Sequence, residues 1–316
     1  MNYDKLQGKG IFVFSDPAGA KAVLAQAYFL QKENLLSDFK IISDRKYDFF
    51  ADFGLEVLPY SEEEENELVK NFFPNFIFTG TSYTSKIELK FIEQATKHDI
   101  LSVAFIDHWT NFRNRFLWDE KFVLPNEIWV IDEKAKNLAI QDSLPAEKLQ
   151  IVGNPYYDFL KIWKPDIPKE VLLRSIDLPE NASYILYVPE PLSQVGGIEK
   201  FGFDEYEVLH QIIAELSEKF SVTLQGFLLV KPHPNHQLGK FEEIIAKAPQ
   251  NILLLDSKTP INLLMFYADC VVGLFSNALI EGKLIGAKVI RLLPERCKIE
   301  LMENDIEICK KLNLIV

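Results

Sequence analysis

A histidine that directly follows a short apolar run is well suited to bind a phosphate. His233 lies in the loop 231–236, Lys-Pro-His-Pro-Asn-His, which follows the apolar residues 227–230. Two prolines stiffen this loop and fix the direction of His233, whose imidazole can donate to a phosphate oxygen or accept a proton. The alternative is a rigid loop in which His233 bonds only its own backbone. His233 and His236 also have the spacing of a metal-binding pair, but no third ligand accompanies them, so we expect no metal ion.

A second candidate phosphate site lies in the segment 273–282, Gly-Leu-Phe-Ser-Asn-Ala-Leu-Ile-Glu-Gly. Ser276 or Asn277 is expected to cap a helix here, and the free N–H groups of a helix start bind anions. Glu281 lies one turn further on, where its carboxylate can accept the hydroxyls of a ribose. The alternative is a plain cap followed by an exposed glutamate. The two segments lie at the ends of two strands in one half of the chain, and together they predict a nucleotide site.

The first half of the chain has two carboxylates suited to general-base chemistry. Asp16 follows the apolar run 11–14, and Asp107 with His108 follows the run 101–106. A carboxylate or an imidazole at a strand end can take a proton from an acceptor hydroxyl. Helix capping is the alternative role for Asp16.

The segments around these carboxylates contain candidates for acceptor binding. Gly19 allows a ligand to approach the backbone, and Trp109 can stack on a sugar ring. Arg113 can meet an anionic group. Thr81 and Ser82 follow the apolar run 76–78 and are predicted to line the same end of the sheet. For Trp109 and its neighbours the alternative is a surface loop with a half-buried indole.

The elements that position these residues alternate between short apolar runs and amphipathic helical stretches. Such βαβ alternation requires parallel sheets covered by helices. The pattern restarts near Gly153, which predicts two doubly wound α/β halves whose ligands bind outside the carboxyl ends of the strands. The predicted strands are 11–14, 39–42, 55–58, 76–78, 101–106, 127–131, 150–152, 184–188, 228–230, 252–255, 270–274 and 288–292. The predicted helices include 18–31, 85–97, 205–219, 240–247, 260–267 and 277–285.

Composition excludes several classes of protein. The chain of 316 residues contains 34 Lys and Arg against 46 Asp and Glu, a net charge of −12, which disfavours nucleic acid as a partner. Its three cysteines lack a CxxC spacing and are too few for a disulfide framework. The polar residues 1–10 do not resemble a signal peptide, and no apolar run approaches the roughly 20 residues of a spanning helix. We therefore expect a cytoplasmic protein and leave open its attachment to the inner face of a membrane.

Several motifs are similar to a known family. The Lys-Pro-His-Pro loop 231–234, the segment 276–282 and the run 286–290, Gly-Ala-Lys-Val-Ile, resemble the C-terminal half of a GT-B glycosyltransferase. The likeness is to the capsule and surface-polysaccharide branch, including bacterial sialyltransferases and polysialyltransferases with a His-Pro motif. Residues 148–155 resemble the interdomain crossing of that family. The resemblance implies two Rossmann-type domains facing a cleft, an acceptor-side domain 1–153, a nucleotide-sugar domain 154–294, and a C-terminal helix within 295–316 that packs back on the first domain.

The resemblance also assigns roles to individual residues. His233 would contact the donor phosphate or help the nucleotide leave, with Lys231 adding positive charge. Ser276 and Asn277 would hold the phosphate, and Glu281 the ribose. The remaining donor-side candidates follow the first strand of the second half and are Glu190 and Ser193. The acidic pair followed by glycine that sialyltransferases have in their N-terminal half is absent here, which leaves the base and the donor sugar open.

We therefore expect a glycosyltransferase that uses a nucleotide-activated sugar, without metal or cofactor, by single displacement with inversion. Its acceptor would be a glycan or a lipid-linked glycan. Three alternatives remain: a glycerol-phosphate polymer transferase, a nucleotide-sugar 2-epimerase on the same fold, and a non-catalytic GT-B-like binding protein.

Overall fold

The structure is a computed structural model that describes residues 5–62, 65–82, 84–220, 226–233, 236, 238–256, 259–299 and 306–311. The chain divides into two compact units, Met1–Phe159 and Leu160–Val316, shortly after the predicted hinge at Gly153. Among the described residues, no helix is both long and apolar enough to span a membrane.

The first unit is built on a seven-stranded parallel sheet of order β3-β2-β1-β4-β5-β8-β9. Its strands are β1 (Gly8–Phe14), β2 (Leu36–Ser43), β3 (Leu58–Pro59), β4 (Phe76–Thr79), β5 (Leu101–Ile106), β8 (Glu127–Val130) and β9 (Leu149–Ile151). A separate antiparallel pair is formed by β6 (Leu117–Trp118) and β7 (Lys121–Phe122). The helices are α1 (Pro17–Lys32), α2 (Glu65–Phe72), α3 (Ile87–Lys97), α4 (Glu133–Gln141) and α5 (Pro155–Ile162), the last of which contains the division between the units.

The second unit has a six-stranded parallel sheet of order β12-β11-β10-β13-β14-β15. Its strands are β10 (Ser183–Val188), β11 (Gly226–Val230), β12 (Ile252–Leu254), β13 (Cys270–Gly273), β14 (Val289–Leu292) and β15 (Ile308–Cys309). The helices are α6 (Lys169–Ser175), α7 (Gly197–Phe201), α8 (Glu205–Phe220), α9 (Gly239–Ile245), α10 (Ile261–Tyr267) and α11 (Asn277–Leu284).

Both sheets have a doubly wound order in which the chain starts in the middle, runs to one edge and then returns to the other side of the first strand. The predicted fold class, a GT-B-like pair of Rossmann-type α/β units, is confirmed. The central strands form because runs of aromatic and branched residues bury completely: residues 11–14 of β1 are fully inaccessible to solvent. Each such side chain contributes about 1.5–3 kcal/mol of burial free energy. In such a sheet, ligands bind at the carboxyl ends beside the point where the strand order reverses.

Two predicted elements differ from the structure. A strand was expected over 55–58, but the structure has only the short edge strand β3 at Leu58–Pro59, preceded by a 3₁₀ helix at Asp48–Phe53 that ends at Gly54 with a φ of 62°. Where the C-terminal helix was expected over 295–316, Ile308–Cys309 form β15, which pairs with β14 in the second sheet. Residues 300–305 and 312–316 lie outside the described residues.

Candidate functional site

The second unit places three of the predicted donor-side segments on neighbouring strands. β10 lies between β11 and β13, so the loop with Glu190 lies between the loop with His233 and the turn with Ser276. The order reverses between β10 and β13, and this is where a doubly wound sheet binds its ligand. The sequence prediction of a common edge for these segments therefore agrees with the strand order.

Glu190 connects the two strands at the reversal point. Its Oε1 atom accepts a hydrogen bond from the backbone N–H of Phe275 at 3.2 Å, and its buried Oε2 atom has no hydrogen-bond partner among the described residues. Burial raises the pKa of Glu190 to about 7, although the Phe275 N–H and the nearby Ser276 hydroxyl lower it. At neutral pH a large share of this carboxyl group is therefore protonated and able to donate.

Ser276 begins α11. Its Oγ atom accepts the backbone N–H of Ala278 at 3.1 Å, so the predicted capping role is confirmed at this residue rather than at Asn277. Asn277 is exposed in the first turn, and Glu281 lies one turn on, where its side chain is buried. A helix start of this kind is a suitable anion site.

The Lys-Pro-His loop follows β11 and is fixed to the sheet. The backbone N–H of Lys231 donates to the Tyr187 carbonyl at 2.9 Å, and its buried ammonium donates to the Asp256 carbonyl at 2.5 Å. The ring of His233 is exposed, and its pKa is lowered by partial desolvation and by His236. Pro234 lies outside the described residues. His233 is therefore neutral near pH 7 and can act as a base or as a neutral donor.

Ser193 binds Glu205, a residue that was not predicted from the sequence. Its hydroxyl donates to Oε1 of Glu205 at 2.5 Å, and its backbone N–H donates to Oε2 at 2.9 Å. Glu205 begins α8, where an acidic residue would ordinarily be solvated, yet it is fully buried.

Among the described residues no group of three His, Cys, Asp and Glu side chains is arranged to hold a metal ion. His233 and His236, which have the spacing of a metal-binding pair, are therefore not part of such a group.

In the first unit, the corresponding reversal point between β1 and β4 is occupied by Asp16 and Ser82. The Ser82 hydroxyl donates to Oδ2 of Asp16 at 2.8 Å, and the Thr84 hydroxyl donates to Oδ1 at 2.9 Å. Arg45, which sequence reasoning missed, lies 3.3 Å from the same Oδ1. Asp16 is at the N-cap position of α1 but makes no side-chain capping bond, so its carboxylate is directed to this network instead.

Asp107 is held in a buried ion pair. Nη1 of Arg115 lies 3.1 Å from Oδ1 of Asp107, and both side chains are almost fully inaccessible. The same nitrogen donates to the carbonyl of Thr81 at 2.7 Å, and the Thr81 hydroxyl donates to the carbonyl of Phe105. Asp107 and Thr81 thus hold the guanidinium of Arg115 at the carboxyl end of the sheet.

The other candidates near β5 lie in the following loop. Burial lowers the pKa of His108, with Asp107 and Arg115 acting in opposite directions, and its Nδ1 atom is 2.9 Å from the Thr110 hydroxyl. Trp109 is half-buried, and its indole N–H donates to Asp132, the residue that caps α4. The guanidinium of Arg113 lies 5.3 Å from the ring centre of Phe122.

Gly19 lies where the backbone of α1 packs closely against Gly80, which leaves little room for a side chain. A Cβ atom at this position would lie 3.6 Å from Cα of Gly80, and one at Gly80 would lie 3.3 Å from Cα of Gly19. The start of α1 therefore packs backbone against backbone on the turn after β4, which sets the position of Asp16.

A buried acid lies beneath this loop. Oε1 of Glu88 accepts the backbone N–H of Ser15 at 3.0 Å, while Oε2 has no hydrogen-bond partner among the described residues. Burial raises the pKa of Glu88 to about 8, helped by the negative charges of Asp16 and Asp44. The sequence showed Glu88 only as one residue of a predicted helix, because its partner is 73 positions away.

Comparison with known structures shows the same fold. The UDP-GlcNAc 2-epimerase of Neisseria meningitidis bound to UDP-GlcNAc has a TM-score of 0.61 and 16% identity, with 90% of this chain and 82% of that chain covered. The UDP-GlcNAc 2-epimerase of Methanocaldococcus jannaschii has a TM-score of 0.60 and 15% identity over 90% and 83% of the two chains. Anabaena HepE in complex with UDP and glucose has a TM-score of 0.54 and 11% identity over 90% and 80%.

Sequence comparison finds a family match within the second unit. A search of curated proteins finds no match. Residues 181–292, which run from just before β10 to the end of β14, match the family model for alpha-2,8-polysialyltransferase (POLYST). The matched region contains Glu190, Lys231, His233, Ser276 and Glu281. The chain therefore has a GT-B-like fold, and residues 181–292 of its second unit are similar to the polysialyltransferase family.

Proposed function

We propose that this protein is a glycosyltransferase that moves a sugar from a nucleotide-activated donor to a glycan or lipid-linked glycan acceptor. One observation supports this most: the loops with Glu190, His233 and Ser276 follow adjacent strands at the reversal point of the second sheet, within the segment that matches the polysialyltransferase model. Helix N–H groups, a serine hydroxyl and an imidazole are the groups that a nucleotide phosphate needs.

We assign the donor to the second unit. Ser276 and the first turn of α11, with Asn277, would hold the phosphate, and the buried ammonium of Lys231 would supply positive charge. His233 would donate to the leaving phosphate oxygen. Glu281 would accept the ribose hydroxyls, and Ser193 would contribute through the loop that it fixes. In this scheme protein groups alone offset the charge of the leaving nucleotide, and no metal ion takes part.

We assign the acceptor to the carboxyl end of the first sheet. Asp16 is the proposed base, because its carboxylate lies at the reversal point beside Ser82. His108 is the second candidate, since a neutral imidazole can accept a proton. Asp107 is the weakest of the three, because its carboxylate is already occupied by the buried guanidinium of Arg115. Thr81, Gly19, Trp109 and Arg113 complete the proposed acceptor surroundings.

The test begins with a thermal-shift screen of the full chain against UDP, CMP, CDP, GDP and their sugars. A ligand at 100 times its Kd stabilises a protein by about 2.7 kcal/mol, which raises the melting temperature measurably. We then expect slow hydrolysis of the stabilising nucleotide-sugar without acceptor. Binding with no turnover, with or without added glycan, would favour a binding module. No stabilisation by any nucleotide would contradict the proposal.

A second candidate is a nucleotide-sugar 2-epimerase, which the UDP-GlcNAc 2-epimerase structures with TM-scores of 0.60 and 0.61 favour. Inversion at C2 breaks a C–H bond, so an epimerase in D2O would place deuterium at C2 of UDP-GlcNAc. Proton NMR of UDP-GlcNAc incubated with the protein separates the two. A transferase releases nucleotide and leaves C2 protonated.

A further inference from the structure

His236 is the structural partner of His233 in the loop after β11. The backbone N–H of His233 donates to Nδ1 of His236 at 2.8 Å, and the backbone N–H of His236 donates to the His233 carbonyl at 2.8 Å. The ring of His236 packs edge-on against Phe241 with centroids 5.0 Å apart, and its side chain is fully inaccessible. The position of His233 therefore depends on a buried imidazole.

The tautomer of His236 follows from these bonds. Since Nδ1 accepts a backbone N–H, the neutral ring has its proton on Nε2. Nε2 lies 3.5 Å from Oε1 of Glu205, whose side chain is also fully inaccessible. Although burial raises the pKa of Glu205, its contacts with His236 and Ser193 outweigh this and lower it, so the carboxylate is ionised at neutral pH.

Glu205 joins two loops of the site through one carboxylate. On one side it accepts both the N–H and the hydroxyl of Ser193, in the loop after β10. On the other side it faces His236, in the loop after β11. Its own backbone carbonyl accepts the buried hydroxyl of Tyr187 at 2.9 Å, which fixes the start of α8 to β10.

We propose that Glu205 and His236 are positioning residues that hold the backbone of His233 against the loop of Ser193, in the geometry that donor binding requires. The anchoring of His233 stands on the hydrogen bonds alone, whereas its effect on donor binding rests on the proposed function. A buried carboxylate and imidazole with no exposed atom have no direct access to a ligand, and their contacts lead to the two loops.

Two substitutions of His236 separate its two contacts. In His236→Asn the amide oxygen takes the place of Nδ1 and still accepts the His233 N–H. In His236→Gln the amide nitrogen takes the place of Nε2, so the contact with Glu205 remains and the His233 N–H loses its partner. As a control, Asn251→Ala removes a 2.8 Å hydrogen bond to the Gly226 carbonyl at the opposite end of β11.

The readout is hydrogen exchange of the His233 amide in full-length protein labelled with ¹⁵N-histidine, of which the chain has five. Loss of one hydrogen bond is expected to speed exchange about two- to tenfold in His236→Gln, with little change in His236→Asn or Asn251→Ala. Nitrogen shifts should show the Nε2–H form of His236 in wild type and a changed ring environment in Glu205→Gln. Equal exchange in wild type and both His236 variants, or an Nδ1–H tautomer, would overturn the anchoring.

Titration with CMP and UDP tests the effect on donor binding. Whichever nucleotide binds wild type should bind His236→Gln about two- to tenfold more weakly, and His236→Asn and Asn251→Ala nearly as well as wild type. Equal affinity in all variants would overturn the positioning role. If neither nucleotide binds wild type, the CDP or GDP ligand that most raises the melting temperature takes their place. If none of the screened nucleotides binds, the proposed function fails, and amide exchange alone decides whether His236 anchors His233.

Discussion

The carboxyl group of Glu190 accepts the backbone N–H of Phe275 at 3.2 Å and so joins the ends of β10 and β13 in the second unit. Its second oxygen is buried beside the start of α11 without a hydrogen-bond partner among the described residues. In the proposed site, a phosphate bound at the start of α11 would lie near this carboxyl, which repels the phosphate when it is ionised and does not when it is protonated.

Nucleotide affinity should therefore fall as the pH rises through about 7, the pKa to which burial raises Glu190. The limit is about tenfold per pH unit, because binding then requires the uptake of one proton. Glu190→Gln keeps the acceptor for Phe275 and is neutral at every pH, so its affinity should be nearly independent of pH between 7 and 8, above the second pKa of the nucleotide phosphate. Calorimetric titrations in buffers of different ionisation enthalpy measure the proton uptake directly, and equal pH dependence in both proteins would refute the assignment.

Substitution of Ser276 separates phosphate binding from helix capping. Ser276→Ala removes the bond to the Ala278 N–H and should cost about 1 kcal/mol of folding stability. It should also weaken nucleotide binding by roughly 1.5–3 kcal/mol, the value of a hydrogen bond to a charged group. Ser276→Asp retains the cap but places a negative charge at the phosphate, so it should fold like wild type and lose binding. Unchanged affinity in Ser276→Ala would assign this serine to capping alone.

The buried carboxyl of Glu88 is expected to affect the free energy of unfolding rather than ligand binding. Its pKa is about 8 in the folded protein against an ordinary 4.5. The folded state therefore binds the proton more tightly, and the unfolding free energy falls as pH rises from about 4.5 to 8. Glu88→Gln keeps the acceptor for Ser15 and removes this loss, which is on the order of a few kcal/mol at about 1.4 kcal/mol per pKa unit.

Urea denaturation of wild type and Glu88→Gln at several pH values measures this difference. Glu93→Gln on the same helix, α3, is the matched control, because Glu93 is exposed in a surface pair with Lys97. The Glu88→Gln variant should gain stability relative to wild type as pH rises, and the control should not. Parallel pH profiles for all three proteins would contradict the assignment of Glu88 as a buried neutral acid.

The two arginine-paired aspartates of the first unit should respond differently to the same substitution. Asp107→Asn leaves the buried guanidinium of Arg115 without its partner charge, which should cost roughly 3–5 kcal/mol. Asp16→Asn disturbs a pair with Arg45 that is partly exposed, so it should cost no more than about 1 kcal/mol.

Activity adds a second contrast between the aspartates. If Asp16 is the base, Asp16→Asn should retain donor affinity and lose transfer by about 10²- to 10⁴-fold. Thermal denaturation, donor titration and transfer assays of both variants check these outcomes. A stable Asp107→Asn would contradict the structural role of its ion pair, and full transfer by both Asn variants would contradict the assignment of Asp16 and leave His108 as the base.

The sequence predicted the parts of the fold that depend on local pattern. Apolar runs marked the central strands, and the cap of α11 could be read from the Ser-Asn that follows β13. The prediction was wrong at β15, since Ile308 and Cys309 are too short a run to stand out and form a strand only by pairing with β14.

The residues that the sequence did not reveal are those whose roles depend on distant partners. Glu205 contacts Ser193 twelve residues earlier and His236 thirty-one residues later. The guanidinium of Arg45 donates to the hydroxyl of Thr84, 39 residues later. None of these spacings follows a helix or strand period, so the contacts could not be predicted from the sequence. The spacing of His233 and His236 is that of a metal-binding pair, for which no third ligand was found, and only the structure shows that Nδ1 of His236 accepts the backbone N–H of His233.

The second unit is proposed to bind a nucleotide at the ends of β10, β11 and β13. A crystal structure of the full chain with the nucleotide that most raises its melting temperature tests this most directly. We predict a phosphate oxygen within about 3 Å of the Ser276 hydroxyl or of a backbone N–H in the first turn of α11, with the His233 ring at the same phosphate. A nucleotide bound away from these strand ends, with no contact to Ser276 or His233, would rule out this site.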